Sequence, residues 1–113
     1  MKIDDKLHPQ RLMAMEATLR LAAYKKILSA AATDPLEVIA NYLASEMALD
    51  VAFQMMSDFH TGGLLSEAEC DEMIKRNILK VQDDYDDAAI DADVKLLGDI
   101  GQELGFIPKS QKV

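Results

Sequence analysis

The sequence predicts an all-α protein, an antiparallel bundle of three long helices plus a C-terminal helical segment. Three observations lead there. Apolar residues recur every three or four positions over most of the chain, start signals stand before each repeat, and the apolar half of the composition is mainly Ala, Leu, Met, Ile and Val, with no Trp. At 113 residues the chain is long enough for one domain and one core. Residues 1–8 read as an arm, 9–107 as the bundle domain and 108–113 as a tail.

The first helix starts at Pro9, where a missing N–H costs nothing, and runs to about Ala31. It has two apolar faces. Leu12, Met15, Leu19, Ala22, Ala23 and Ala30 lie on one, and Met13, Ala17, Leu21, Tyr24, Leu28 and Ala31 on the other. A helix apolar on both sides must be covered on both sides.

The second helix starts at Asp34-Pro-Leu-Glu37, which supplies an N-cap carboxylate, a proline at N1 and a glutamate at N3. It continues to about His60, with Gly62 expected in the left-handed conformation that ends helices. It too is apolar on two faces: Leu36, Ile39, Ala40, Leu43 and Met47 form one, and Val38, Tyr42, Leu49, Phe53 and Met56 another. The second of these is the expected oligomer interface, which makes a homodimer the expected assembly.

Ser66-Glu-Ala-Glu69 is a capping box that starts the third helix at Glu67. The run Gly63-Leu-Leu-Ser-Glu-Ala-Glu-Cys resembles the turn of many short helical hairpins, including small C-terminal oligomerisation hairpins of bacterial proteins. It implies a turn and a helix start, and no functional residues. From Cys70 an apolar stripe passes through Met73, Ile74, Ile78, Val81 and Tyr85 into an acidic stretch. One unbroken helix to Leu104 would be roughly 57 Å long at about 1.5 Å per residue, whereas a compact chain of this length has a radius of gyration near 13 Å. A break between Asp83 and Asp93 is therefore expected, giving a fourth helical segment that stops at Gly105, Phe106 and Pro108. Asp93 depends on that break: a helix restarting near Asp91 puts it among Ile90, Leu97 and Ile100, and a continuous helix turns it outward. Gly98, Gly101 and Gly105 have the small-residue spacing of a close helix contact.

Asp and Glu number 20 against 12 Lys and Arg, for a net charge of −8, which opposes direct binding to nucleic acid or anionic lipid and favours a partner protein with a basic surface. No apolar run reaches the roughly 18 residues of a membrane span, and the first ten residues lack the apolar stretch of a secretory signal. The single cysteine cannot form an internal disulfide, so a reducing cytoplasm is the expected location.

The densest unusual feature is the ridge Asp83, Asp84, Asp86, Asp87 and Asp91, expected to be the partner-binding site. Like charges four residues apart cost about 0.2–0.5 kcal/mol each on an exposed helix, so something tolerates or uses them. They do not spell a metal site. The glycine and final glutamate of a calcium-binding helical loop are out of register, and Glu-x-x-His is absent. No metal or other cofactor is expected. Cys70 sits on an apolar stripe with no histidine nearby in sequence, which reads as core. Nucleophile-elbow, phosphate-loop and paired-cysteine motifs are absent, so no catalytic residues are assigned. The seven methionines suit either an irregular core or an adaptable interface.

The expected function is a non-catalytic acidic helical interaction protein, a regulator or inhibitor of the type mobile genetic elements encode, bound to a basic partner surface. The alternative is a structural or chaperone-like assembly subunit. A third is a small helical enzyme with an unrecognised carboxylate site.

Overall fold

A computed structural model describes residues 8–103, and all four expected elements are helices: α1 (His8–Ala31), α2 (Pro35–Thr61), α3 (Glu67–Asp83) and α4 (Asp87–Glu103). The expected arm, the stop at Gly105 to Pro108 and the tail fall outside the described residues, except that His8 already belongs to α1. No strand occurs among the described residues.

Local chemistry sets most of the boundaries. Asp34 caps α2 by accepting from the Leu36 N–H at 3.0 Å, with Pro35 in the first turn. Ser66 and Glu69 form the reciprocal capping box of α3, at 3.1 Å from the Glu69 N–H to Ser66 Oγ and 3.0 Å from the Ser66 N–H to Glu69 Oε1. The Ser66 backbone N–H first, and then its hydroxyl, stabilise the Glu69 anion and hold its carboxyl below the ordinary value.

The end of α2 differs from expectation by one residue. Gly62 keeps a right-handed conformation and Gly63 takes the left-handed one, at φ 76°. The Gly63 N–H donates to His60 O at 3.0 Å and the Leu64 N–H to Phe59 O at 2.9 Å. That is the paired pattern of a Schellman ending, with Gly63 as its left-handed residue. Two adjacent glycines leave the choice to the hydrogen bonds, which favour the register that directs Leu65 into the core.

The third helix breaks as expected. Its last backbone hydrogen bond runs from Asp84 N to Lys80 O, and the chain then leaves the helical conformation at Asp84 (φ −158°, ψ 71°). Asp86 starts α4 by accepting from the Ala89 N–H at 2.9 Å through Oδ1, while its carbonyl accepts from Ile90 N–H at 3.0 Å.

α1 is the hub. It packs against α2, α3 and α4, whereas α3 barely touches α2, and α4 packs on α1 alone. Two hydroxyls fix α2 on α1: Ser45 donates to Ala22 O and Ser29 to Val38 O, each at 2.8 Å. The main core lies between α1, α2 and α3 and contains Met15, Leu19, Ala52, Met56, Phe59, Leu65, Cys70 and Met73. The other face of α1 is covered by α4, and Ala17 there is 0 % exposed. Both faces of α1 thus find cover inside one chain, although Met13 and Ala31 at the two ends of the second face stay exposed. The assembly measures 46 × 45 × 23 Å, about two helix diameters thick.

Gly98 does not mark a close helix contact, because a Cβ built there meets nothing within 4 Å. Opposite outcomes follow for two glycine-to-alanine changes. Gly98→Ala should raise stability by up to about 1 kcal/mol by removing a helix-interior glycine, and Gly63→Ala should lower it by a similar amount because its φ is positive. Urea unfolding of both variants checks the pair of signs.

Candidate functional site

Two features could carry function: a buried polar cluster where α1, α3 and α4 meet, and the uncovered side of α2. The cluster centres on Asp93. Arg20 grips it with two parallel hydrogen bonds, Nε to Oδ2 at 2.8 Å and Nη2 to Oδ1 at 2.7 Å, and Tyr85 donates its hydroxyl to Oδ2 at 2.7 Å. The third Arg20 nitrogen donates to Asn77 Oδ1 at 2.8 Å. Asn77 Nδ2 in turn donates to Met73 O at 2.8 Å and to Glu16 Oε1 at 3.2 Å. Arg76 closes the chain on Glu16. The Tyr24 and Tyr85 rings meet edge to face, with centroids 5.6 Å apart.

These geometries are built by the helix break. Because α4 restarts at Asp87, Asp93 turns inward, 6 % exposed. On α1, Arg20 occupies the same face as Met13, Ala17 and Tyr24, so it is the cation under that helix. Burial opposes the Asp93 charge, but the hydrogen bonds from Arg20 and Tyr85 outweigh it and hold the carboxyl below its ordinary value. The same contact raises Arg20, against burial. Burial first, then the hydrogen bond to Asp93, pushes the Tyr85 phenol well up. Asp93 and Glu69 are both held low, opposite to the direction a carboxylic general acid needs. With both Asp93 oxygens engaged, the cluster fastens α4 to α1.

The expected partner-binding residues Asp83, Asp84, Asp86, Asp87 and Asp91 are all exposed around the α3–α4 connection. They do not act as one ridge on one helix. Asp83 ends α3, Asp84 and Asp86 form the connection with Asp86 capping α4, and Asp87 and Asp91 sit on α4. Breaking the helix removes the regular four-residue spacing between Asp83 and Asp87 and with it part of the repulsion. Among the described residues no three acidic, histidine or cysteine side chains converge as metal ligands.

The expected oligomer interface divides. Met56 is 6 % exposed and belongs to the core, Val38 and Leu49 are half-buried, and Tyr42 and Phe53 are exposed. Met56 is internal because its face of α2 is the one that meets α1 and α3. Leu49 and Phe53 instead line a groove of about 240 Å³ between α1, α2 and α3, with Leu19, Ala23, Ile27 and Ile78. The uncovered apolar face of α2 is the other one: Leu36 is 76 % and Met47 69 % exposed, with Ile39, Ala40, Leu43 and Val51 open around them. Seven of the thirteen large apolar side chains exposed among the described residues are on α2, which concentrates the surface on one helix.

Cys70 is buried in the core, and burial together with Asp71, Glu69 and Glu67 pushes its thiol up, away from the nucleophilic thiolate. No helix of the described residues is long and apolar enough to cross a membrane. Comparison of the chain with family models, curated proteins and solved structures finds no match.

The Arg20–Asp93 pair yields a stability prediction. Asp93→Ala strands a largely buried guanidinium and should cost about 3–5 kcal/mol, while the double change Arg20→Met/Asp93→Leu should cost less than the single one. Because the folded Asp93 carboxyl lies below its unfolded value, the pair's contribution is full above about pH 4 and is lost as pH falls through the folded value. Denaturant titrations at pH 6 and pH 3 should show a smaller acid loss in the double variant than in the parent.

Proposed function

We propose that this is a non-catalytic helical interaction protein, a regulator or inhibitor that occupies a basic surface of a partner macromolecule. The observation that carries the reading is the open apolar face of α2. A helix apolar all round is normally buried all round, and here neighbouring helices cover only one side. Burying such a face on a partner supplies association energy, roughly 25 cal/mol for each Å² of apolar area removed from water.

Charge gives the partner its sign. A chain at −8 attracts basic surfaces and repels acidic ones. The exposed aspartates at the α3–α4 connection add to this field, and those not used as caps have their carboxylates free to face a cationic partner or solvent.

The same α2 face also favours the second reading, an assembly subunit that holds a partner chain by apolar contact. Salt separates the two. A complex steered by charge weakens as ionic strength rises, and one held only by apolar burial does not.

The test compares partner recovery by three tagged forms: the parent, Leu36→Asp/Met47→Asp, and Asp83→Asn/Asp84→Asn/Asp86→Asn/Asp87→Asn. The proposal expects a basic partner that the parent retains, that the α2 variant loses, and that the aspartate variant binds at least several-fold more weakly, with binding also falling in high salt. Equal recovery by all three forms overturns the reading. Salt-independent recovery lost only with the α2 variant selects the assembly subunit.

A further inference from the structure

The uncovered face of α2 has a more specific pattern than a greasy patch. Leu36, Ala40, Leu43 and Met47 are separated by four, three and four residues, the spacing of a seam along which one helix packs on another. The four are exposed and follow one line along α2, opposite the buried Ser45, Ala52 and Phe59. The seam spans roughly 16 Å at about 1.5 Å per residue, three turns of helix. Ile39 widens it on one side and Val51 on the other.

The charges beside the seam all have one sign. α2 carries Glu37, Glu46, Asp50 and Asp58 and no lysine or arginine. Glu37 and Glu46 flank the apolar line on opposite sides, and Asp50 follows Met47 on the line itself. In a paired-helix geometry the flanking positions are where charges select the partner. A second copy of α2 would bring carboxylates and apolar side chains but no cation to those positions. A partner helix with lysine or arginine beside its own apolar stripe would pair with them.

We propose that α2 receives, along Leu36 to Met47, an amphipathic helix of a partner protein whose apolar stripe is flanked by lysine or arginine. This rests on the reading of the chain as an interaction protein and adds which element of the partner docks and where. The partner helix covers the seam, its cations meet Glu37 and Glu46, and a further cation meets Asp50 at the end of the stripe. The acidic α3–α4 connection lies off this helix and acts on the partner through its field, outside the helix-to-helix contact.

The experiment uses the full chain and two labelled 21-residue helical peptides, each with Leu at both seam positions of the heptad. One has Lys at the flanking positions and the other has Glu. Fluorescence anisotropy should show the Lys peptide binding at least tenfold more tightly than the Glu peptide, with affinity falling as salt rises. Leu43→Asp and, separately, Met47→Lys should each lose at least tenfold in affinity while circular dichroism keeps the parent helicity, since both side chains are exposed. Glu37→Lys/Glu46→Lys should reverse the preference between peptides without touching the seam.

Equal binding of both peptides, binding that survives Leu43→Asp and Met47→Lys, or no binding by either peptide overturns the proposal. So does a mass of two chains in light scattering that Leu43→Asp returns to one, because a second copy then occupies the face. Peptide failure beside successful, α2-dependent partner recovery removes only the docked helix. Failure of that recovery removes the broader reading.

Discussion

Everything in this fold depends on α1 being covered on both sides. It is the one helix that packs against all the others, and its two apolar faces require two separate covers. Met15, Leu19 and Ala22 are buried on the side of the main core, and Ala17 is buried on the other. A chain of this length has few helices to distribute. Two of them, α2 and α3, build the main core with α1, and α4 closes the second face. Among the described residues no other helix covers the far side of α2.

The ion pair between Arg20 and Asp93 belongs to that arrangement. Placing a cation under α4 on an otherwise apolar face would be costly alone, because a buried unpaired charge is strongly disfavoured. The inward turn of Asp93, reached only because the helix restarts at Asp87, supplies the partner, while Tyr85 and Asn77 satisfy the remaining oxygen and nitrogen groups. This geometry discriminates among ways of placing α4 on α1: a rotated or shifted helix would leave both Arg20 and Asp93 without their paired bonds. Apolar burial holds the helices together, and the polar cluster selects their register.

Much of the fold was legible in the sequence because capping is local. Asp34, Pro35, Ser66 and Glu69 act on backbone groups within three residues, so their patterns can be read without knowing the tertiary structure. The break at Asp84 to Asp86 was legible from helix length against compactness. The shift from Gly62 to Gly63 was not, since either glycine suits the turn and the placement of Leu65 decides. The candidate interface was legible only as a pair of α2 faces. Which face turns inward depends on how α2 rotates against α1, set by Ser45 on Ala22 O and Ser29 on Val38 O, contacts 23 and 9 residues apart in sequence. Arg20 could have been noticed as the lone cation in the line Met13, Ala17, Arg20, Tyr24; its partner, 73 residues away, could not.

The central claim is that one chain covers both faces of α1 and leaves one face of α2 open. Methionines report on both helices directly, because peroxide oxidises an exposed thioether faster than a buried one. The structure places Met47 at 69 % exposure on the open face, Met15 at 0 % under the main core and Met56 at 6 % on the opposite side of α2. Peptide mass spectrometry after timed peroxide exposure of the dilute chain should therefore show Met47 oxidised first and Met15 and Met56 at least tenfold more slowly. Protection of Met47 equal to that of Met15 would mean that the α2 face is covered in the isolated protein, and would contradict the account.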